Sequence, residues 1–168
     1  MHYEEIHACP DDHVMYYNQH EFATKCLECH VSRYRTHNVT KKVPQKVLCY
    51  IPIIPRLQWL FRCKNIAQFM DYHAMNITQD DVNRIPVDGS VFRDMEEKWT
   101  HFKEEPRNIR ISLAADGVNT FTQMKSNWHG VAYFCINNNN PPWLSIKREH
   151  IMLLMIIPGF FCLQLFYL

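Results

Sequence analysis

The feature that most constrains this chain is its front segment, residues 1–37, which holds six of the ten histidines and three of the seven cysteines but few aliphatic side chains. So short a segment cannot bury an adequate apolar core, and metal coordination can supply the missing folding energy. Cys26 and Cys29 stand at the two-residue spacing that lets both sulfurs reach one tetrahedral ion, and Cys9 and His13 can supply a second pair from an upstream turn. The expected element is zinc-ribbon-like, with structural Zn²⁺ held by Cys9, His13, Cys26 and Cys29; His7 or His30 could replace His13. A lone CxxC also fits two buried thiols. A redox pair fits less well, because no βαβ pattern surrounds it.

The start of the chain lacks the basic residues and apolar stretch of a signal peptide, so a reducing compartment is expected, with cysteines as thiols or metal ligands. Cys49, Cys63, Cys135 and Cys162 lie in apolar surroundings and read as core residues. The net charge of +1 conceals an asymmetry: between His30 and Met70 there are eight basic residues and no Asp or Glu. Such a block attracts phosphate by counterion release, and Arg33, Arg35, Lys41, Lys42 and Lys46 are its candidate contacts. The bland alternative is a solvated linker.

Residues 38–46 read as a basic linker and 47–103 as a mostly helical segment. A β-branched run from Val47 passes into Pro55, a residue suited to a first helical turn, after which Leu57, Leu60, Phe61, Phe69, Met70 and His73 recur at helical intervals. Ser90 is placed to cap a helix whose Met95, Trp99 and Phe102 share one face while Glu96, Glu97 and Lys98 face water. From Ile109 the period becomes two, predicting a strand that ends at the Asp116-Gly117 turn. A second strand is expected over 128–136 and a central one over 151–157. Asn137 to Asn140 read as a polar loop, and no internal repeat is evident. Residues 151–168 are almost wholly apolar, but Pro158-Gly159 interrupts them at the lower limit of a bilayer span, so a membrane anchor is the minority reading.

Several longer motifs occur in order: HYEEIHACPDD (2–12), CLEC then SRYR (26–35), VLCYIPIIPRLQWLFRCKNIAQFMDYHA (47–74), RIPVDG (84–89), EEPRNIRISLAADGVNTF (104–121), NNPPWL (139–144) and IMLLMIIPG (151–159). Together they resemble the CACTA, or En/Spm, transposases of plants. The resemblance implies a nuclear protein acting on DNA at transposon ends, with a zinc-ribbon-like element ahead of an RNase H-like catalytic domain. In such domains three acids hold two divalent ions, usually Mg²⁺, for strand cleavage and transfer. Asp116 matches the first of the three. His13 stands where the family commonly has cysteine and still offers a ligand.

The expected fold class is α+β: a zinc-ribbon-like front (1–37), the linker, the helical segment, then the first three antiparallel strands of an incomplete RNase H-like domain (104–159) and an unmatched apolar tail (160–168). With one acid of three, the expected product is a transposase fragment without turnover. The alternative is a zinc-stabilised DNA-binding or interaction module, which could also bind a full-length transposase. A sheet without its covering helices leaves strand 151–157 short of partners, predicting poor solubility.

Overall fold

The computed structural model describes residues 2–36, 42–76, 82–118 and 130–158. Five strands, β1 (Glu4–Ala8), β2 (Lys46–Tyr50), β3 (Ile111–Val118), β4 (Gly130–Asn137) and β5 (Met152–Pro158), form one sheet in the order β1-β2-β5-β4-β3. The helices are α1 (Ile54–Arg62), α2 (Lys64–Ala67), α3 (Tyr72–Met75), α4 (Ser90–Lys98), α5 (Thr100–Glu104) and α6 (Pro142–Ser145). The α+β class is as the sequence predicts. β1 pairs antiparallel with β2, Ile6 facing Leu48, and β2 pairs antiparallel with β5 through Cys49 and Ile156. Gly130, at the start of β4, lies against Val118 at the end of β3 and Ile157 near the end of β5, which sets those neighbours antiparallel too.

The predicted strand 151–157 is therefore interior, as its unbroken apolar run requires, and β2 is the partner that the sequence did not identify for it. β1 and β3 are the edge strands, and the β3 residues from Leu113 to Gly117 are all exposed. The predicted end of that strand is also corrected: Asp116 and Gly117 lie inside β3, which runs on to Val118. The expected second half of the linker is ordered structure, with a bridge between Tyr34 and Pro44 and with Lys46 opening β2.

The chain forms two compact units. The first takes its described residues from those before Ile53, from 115–133 and from those after Leu153; the second takes them from 53–114 and 134–153. β3, β4 and β5 each contribute to both units.

In the second unit, Pro55 sits in the first turn of α1, and the helix ends where Cys63 becomes extended, its N–H donating to the Trp59 carbonyl. Leu60, Ile66, Met70 and His73 are buried. The N-cap of α4 is Gly89, and the expected Ser90 is already helical. The face assignments of that helix also change. Glu96 accepts two hydrogen bonds from Arg110, at 2.9 and 2.7 Å, whereas Trp99 is 54% exposed.

The greatest departure is the asparagine run. Asn137, Asn138, Asn139 and Asn140 are all buried. The Asn139 side chain accepts from the Arg110 amide at 2.6 Å and donates to the carbonyls of Met70 (2.9 Å), Asn108 (2.9 Å) and Pro106 (3.2 Å). Asn138 donates to the Ser112 hydroxyl at 2.7 Å. What reads as a polar loop is a buried junction in which one amide satisfies backbone groups from three segments. Of the expected core thiols, Cys135 is fully buried and Cys49 and Cys63 partly so; Cys162 and residues 160–168 lie outside the described residues. Among the described residues no helix is long and apolar enough to cross a membrane.

Candidate metal centre

The first unit is built on two short hairpins of the same design. Cys9 donates its N–H to the Val14 carbonyl and Cys26 donates to Val31, both at 2.9 Å. Flanking bridges join Ala8 to Met15 and Lys25 to Ser32, so each cysteine occupies the same place in its turn. Both turns need a residue in the left-handed region, Asp12 (φ 62°) in the first and His30 (φ 58°) in the second. The sequence carries this equivalence as a repeated Cys-x-x-x-His-Val, at Cys9 to Val14 and Cys26 to Val31, a signal too short to stand out as an internal repeat.

The paired turns bring together Cys9, His13, Cys26 and Cys29, whose ligand atoms all lie within 4.8 Å of one another. Cys9 Sγ is 3.5 Å from Cys29 Sγ and 3.8 Å from His13 Nδ1. A tetrahedral ion with bonds of about 2.3 Å has ligand-to-ligand edges of about 3.8 Å, so these separations fit a common centre. The group can hold a metal ion such as zinc as a Cys₃His set. His7 and His30, the alternatives to His13, are not in the group.

Electrostatics favour the same reading. Burial opposes a thiolate at Cys26, but the N–H groups of Cys29 and Glu28 donate to its sulfur and bring its pKa down to about 7. At Cys29 the Val31 N–H favours the thiolate, yet burial and the neighbouring Cys9 and Cys26 sulfurs push the pKa up to about 11. The cluster accepts one negative charge readily and resists the second. A divalent cation removes that resistance, since it binds thiolates and neutralises their repulsion.

Two cationic side chains brace the site. The Lys46 ammonium lies 2.6 and 2.7 Å from the two Asp12 carboxylate oxygens, which fixes the left-handed turn between Cys9 and His13. Arg33 donates from Nε to His7 Nδ1 at 2.9 Å and from Nη1 to the Glu21 and Ala23 carbonyls, and its guanidinium lies 4.7 Å from the centre of the Tyr16 ring. The Tyr16 ring is buried beneath it. Burial, followed by the charges of Cys26 and Cys9, raises the Tyr16 pKa.

The remaining basic candidates are more open. Arg35 and Lys42 are exposed, with the Lys42 ammonium 5.8 Å from the Tyr34 ring centre; Lys41 lies outside the described residues. Asp116 is exposed on β3, and among the described residues it belongs to no group of three or more ligand-type side chains.

Residues 80–162, just under half of the chain, match the family model described as transposase family tnp2. No curated protein and no solved structure matches the chain. The matched segment contains α4 through β5 and ends well clear of the Cys/His group.

Proposed function

We propose, taking residues 80–162 as a transposase-family segment, that this chain is a transposase-derived, zinc-stabilised DNA-binding protein without strand-transfer activity of its own. The family match is the observation that carries the reading. It agrees with the resemblance to plant CACTA (En/Spm) transposases, and hence with a nuclear protein acting at transposon ends. The adjacent strands β5-β4-β3 support an RNase H-like opening to the matched segment. The Cys/His tetrad supports zinc as a structural ion for residues 1–37, which hold too few aliphatic side chains to fold on a core.

Asp116 is the proposed counterpart of the family's first catalytic acid. Cleavage through two divalent ions needs several carboxylates converging on them. Exposed and grouped with no such set among the described residues, Asp116 does not fit a Mg²⁺ centre, and no step follows through that ion. What remains is binding, to DNA ends or to a full-length transposase. A membrane anchor finds no support in residues 152–158, which form β5.

Elemental analysis of the full chain, beside a Cys26→Ser/Cys29→Ser variant, tests the reading together with fluorescence-anisotropy titration of duplex DNA. The expected result is about one zinc per chain, lost in the variant, with salt-dependent DNA binding by the metal-loaded protein. Absence of both zinc and binding would overturn it. Metal-dependent nicking that disappears in Asp116→Ala would overturn the claim of inactivity.

A further inference from the structure

Resting on the DNA-binding reading, we propose that the chain's duplex-contacting surface is the outer face of α1 and the start of α2, made by Gln58, Trp59, Arg62, Lys64 and Asn65. All five are exposed. Trp59 and Arg62 are three residues apart, and Gln58 and Arg62 four apart, so these side chains lie on one helical face, opposite the buried Leu60. The extended backbone at Cys63 ends α1 and starts α2 immediately, which brings Lys64 and Asn65 directly after that face while Ile66 turns inward.

Charge decides the kind of partner. No acidic residue occurs between His30 and Met70, and among the described residues neither Arg62 nor Lys64 has an ion-pair partner. Of the other cations of this basic stretch, Arg35 and Lys42 are also exposed, but three are committed. Arg33 is spent on carbonyls and His7, Lys46 on Asp12, and Arg56 donates to the Leu153 carbonyl, with burial lowering its pKa. A free guanidinium fork and an ammonium, flanked by neutral amide donors and an exposed indole, match the phosphate oxygens and sugar edges of a nucleic-acid backbone. The two unpaired cations on this face are placed to meet phosphates, so the contact is with the backbone of duplex DNA.

The test is the salt dependence of duplex affinity for the full chain, comparing wild type with Arg62→Gln/Lys64→Gln and with Arg35→Gln/Lys42→Gln. Removing one cation from a phosphate lowers the slope of log affinity against log salt by about 0.9, so the first variant is expected to lose about 2 from the slope and the second less. Circular dichroism melting establishes that both variants fold. An unchanged slope in the Arg62/Lys64 variant, with wild type binding, overturns this surface and leaves the DNA-binding reading standing. Failure of wild type to bind duplex in a salt-dependent way overturns both. Polyglutamate competing as well as duplex at equal charge would assign the face to an acidic protein and also overturn the proposal.

Discussion

The two units hold polar groups away from the surface by opposite means. In the first, two buried sulfurs, a half-buried one and an exposed imidazole gather within 4.8 Å, a set that a divalent cation can hold together. In the second, the Asn139 amide and the Arg110 guanidinium saturate each other's surroundings entirely from within the chain. On the zinc reading, the first unit's stability depends on an ion, whereas the described residues of the second hold no such ligand group. Metal-binding free energy in a small segment is folding free energy, on the order of 10 kcal/mol for structural zinc at neutral pH.

Chelation is the largest test of that contrast. Adding excess EDTA to the metal-loaded chain is expected to collapse hydrogen-exchange protection at the Cys9, Tyr16 and Cys26 amides, which close the two hairpins. Protection at the Asn138 and Arg110 amides should persist. Simultaneous loss in both units would break the comparison by showing that the second also depends on the ion.

The second test reverses the dependence. Asn139 is fully buried, and Asn139→Ala strands the Arg110 N–H and the Met70 carbonyl, while the Pro106 and Asn108 carbonyls keep the Arg110 guanidinium. Each unsatisfied buried group costs about 1 to 3 kcal/mol, so a loss of about 2 kcal/mol or more is expected on chemical denaturation of the second unit. Zinc content should stay unchanged. A loss under about 1 kcal/mol would mean that water or a rearranged turn replaces the amide.

What could be seen in the sequence divides along the same line. The tetrad was legible because its signal is local: Cys26 and Cys29 are spaced for one ion, and Cys9 and His13 repeat the arrangement within five residues. The central position of β5 was legible from its apolar run, since that pattern needs cover on both faces. The asparagine run was not, because its partners are distant: Met70 lies 69 residues from Asn139, and a polar tetrapeptide looks the same in solvent and in a junction. The partners of Arg33 and Lys46 were hidden for a similar reason. Charge density is visible in a sequence, whereas the Asp12 carboxylate that neutralises Lys46 lies 34 residues away. Asp116 shows the reverse limit, for a match to a motif names a role without assembling the neighbours that the role requires.

The smallest expected effect sharpens the contrast by asking how intrinsic the second unit's stability is. His73 is 2% exposed, and among the described residues neither ring nitrogen has a hydrogen-bond partner. Burial, and then the Arg110 charge, holds its pKa below the usual histidine value; the nearby Asn139 backbone and the charge of Glu96 only partly oppose this. The ring is therefore neutral when folded, whereas in the unfolded chain it takes a proton near pH 6.5. Stability from this source is fully present above about pH 6.5 and falls as the pH drops toward the lower folded value, by at most about 1.4 kcal/mol per pH unit. Denaturation of the second unit, followed at the Asn138 amide between pH 7 and 5 with metal already chelated, should show this decline in wild type and a shallower one in His73→Phe. Chelation keeps protonation of the metal-binding thiolates out of the measurement, so identical pH slopes in the two proteins would place the acid sensitivity elsewhere. A shallower slope in His73→Phe would show that the second unit, though independent of metal, still depends on a buried base remaining unprotonated.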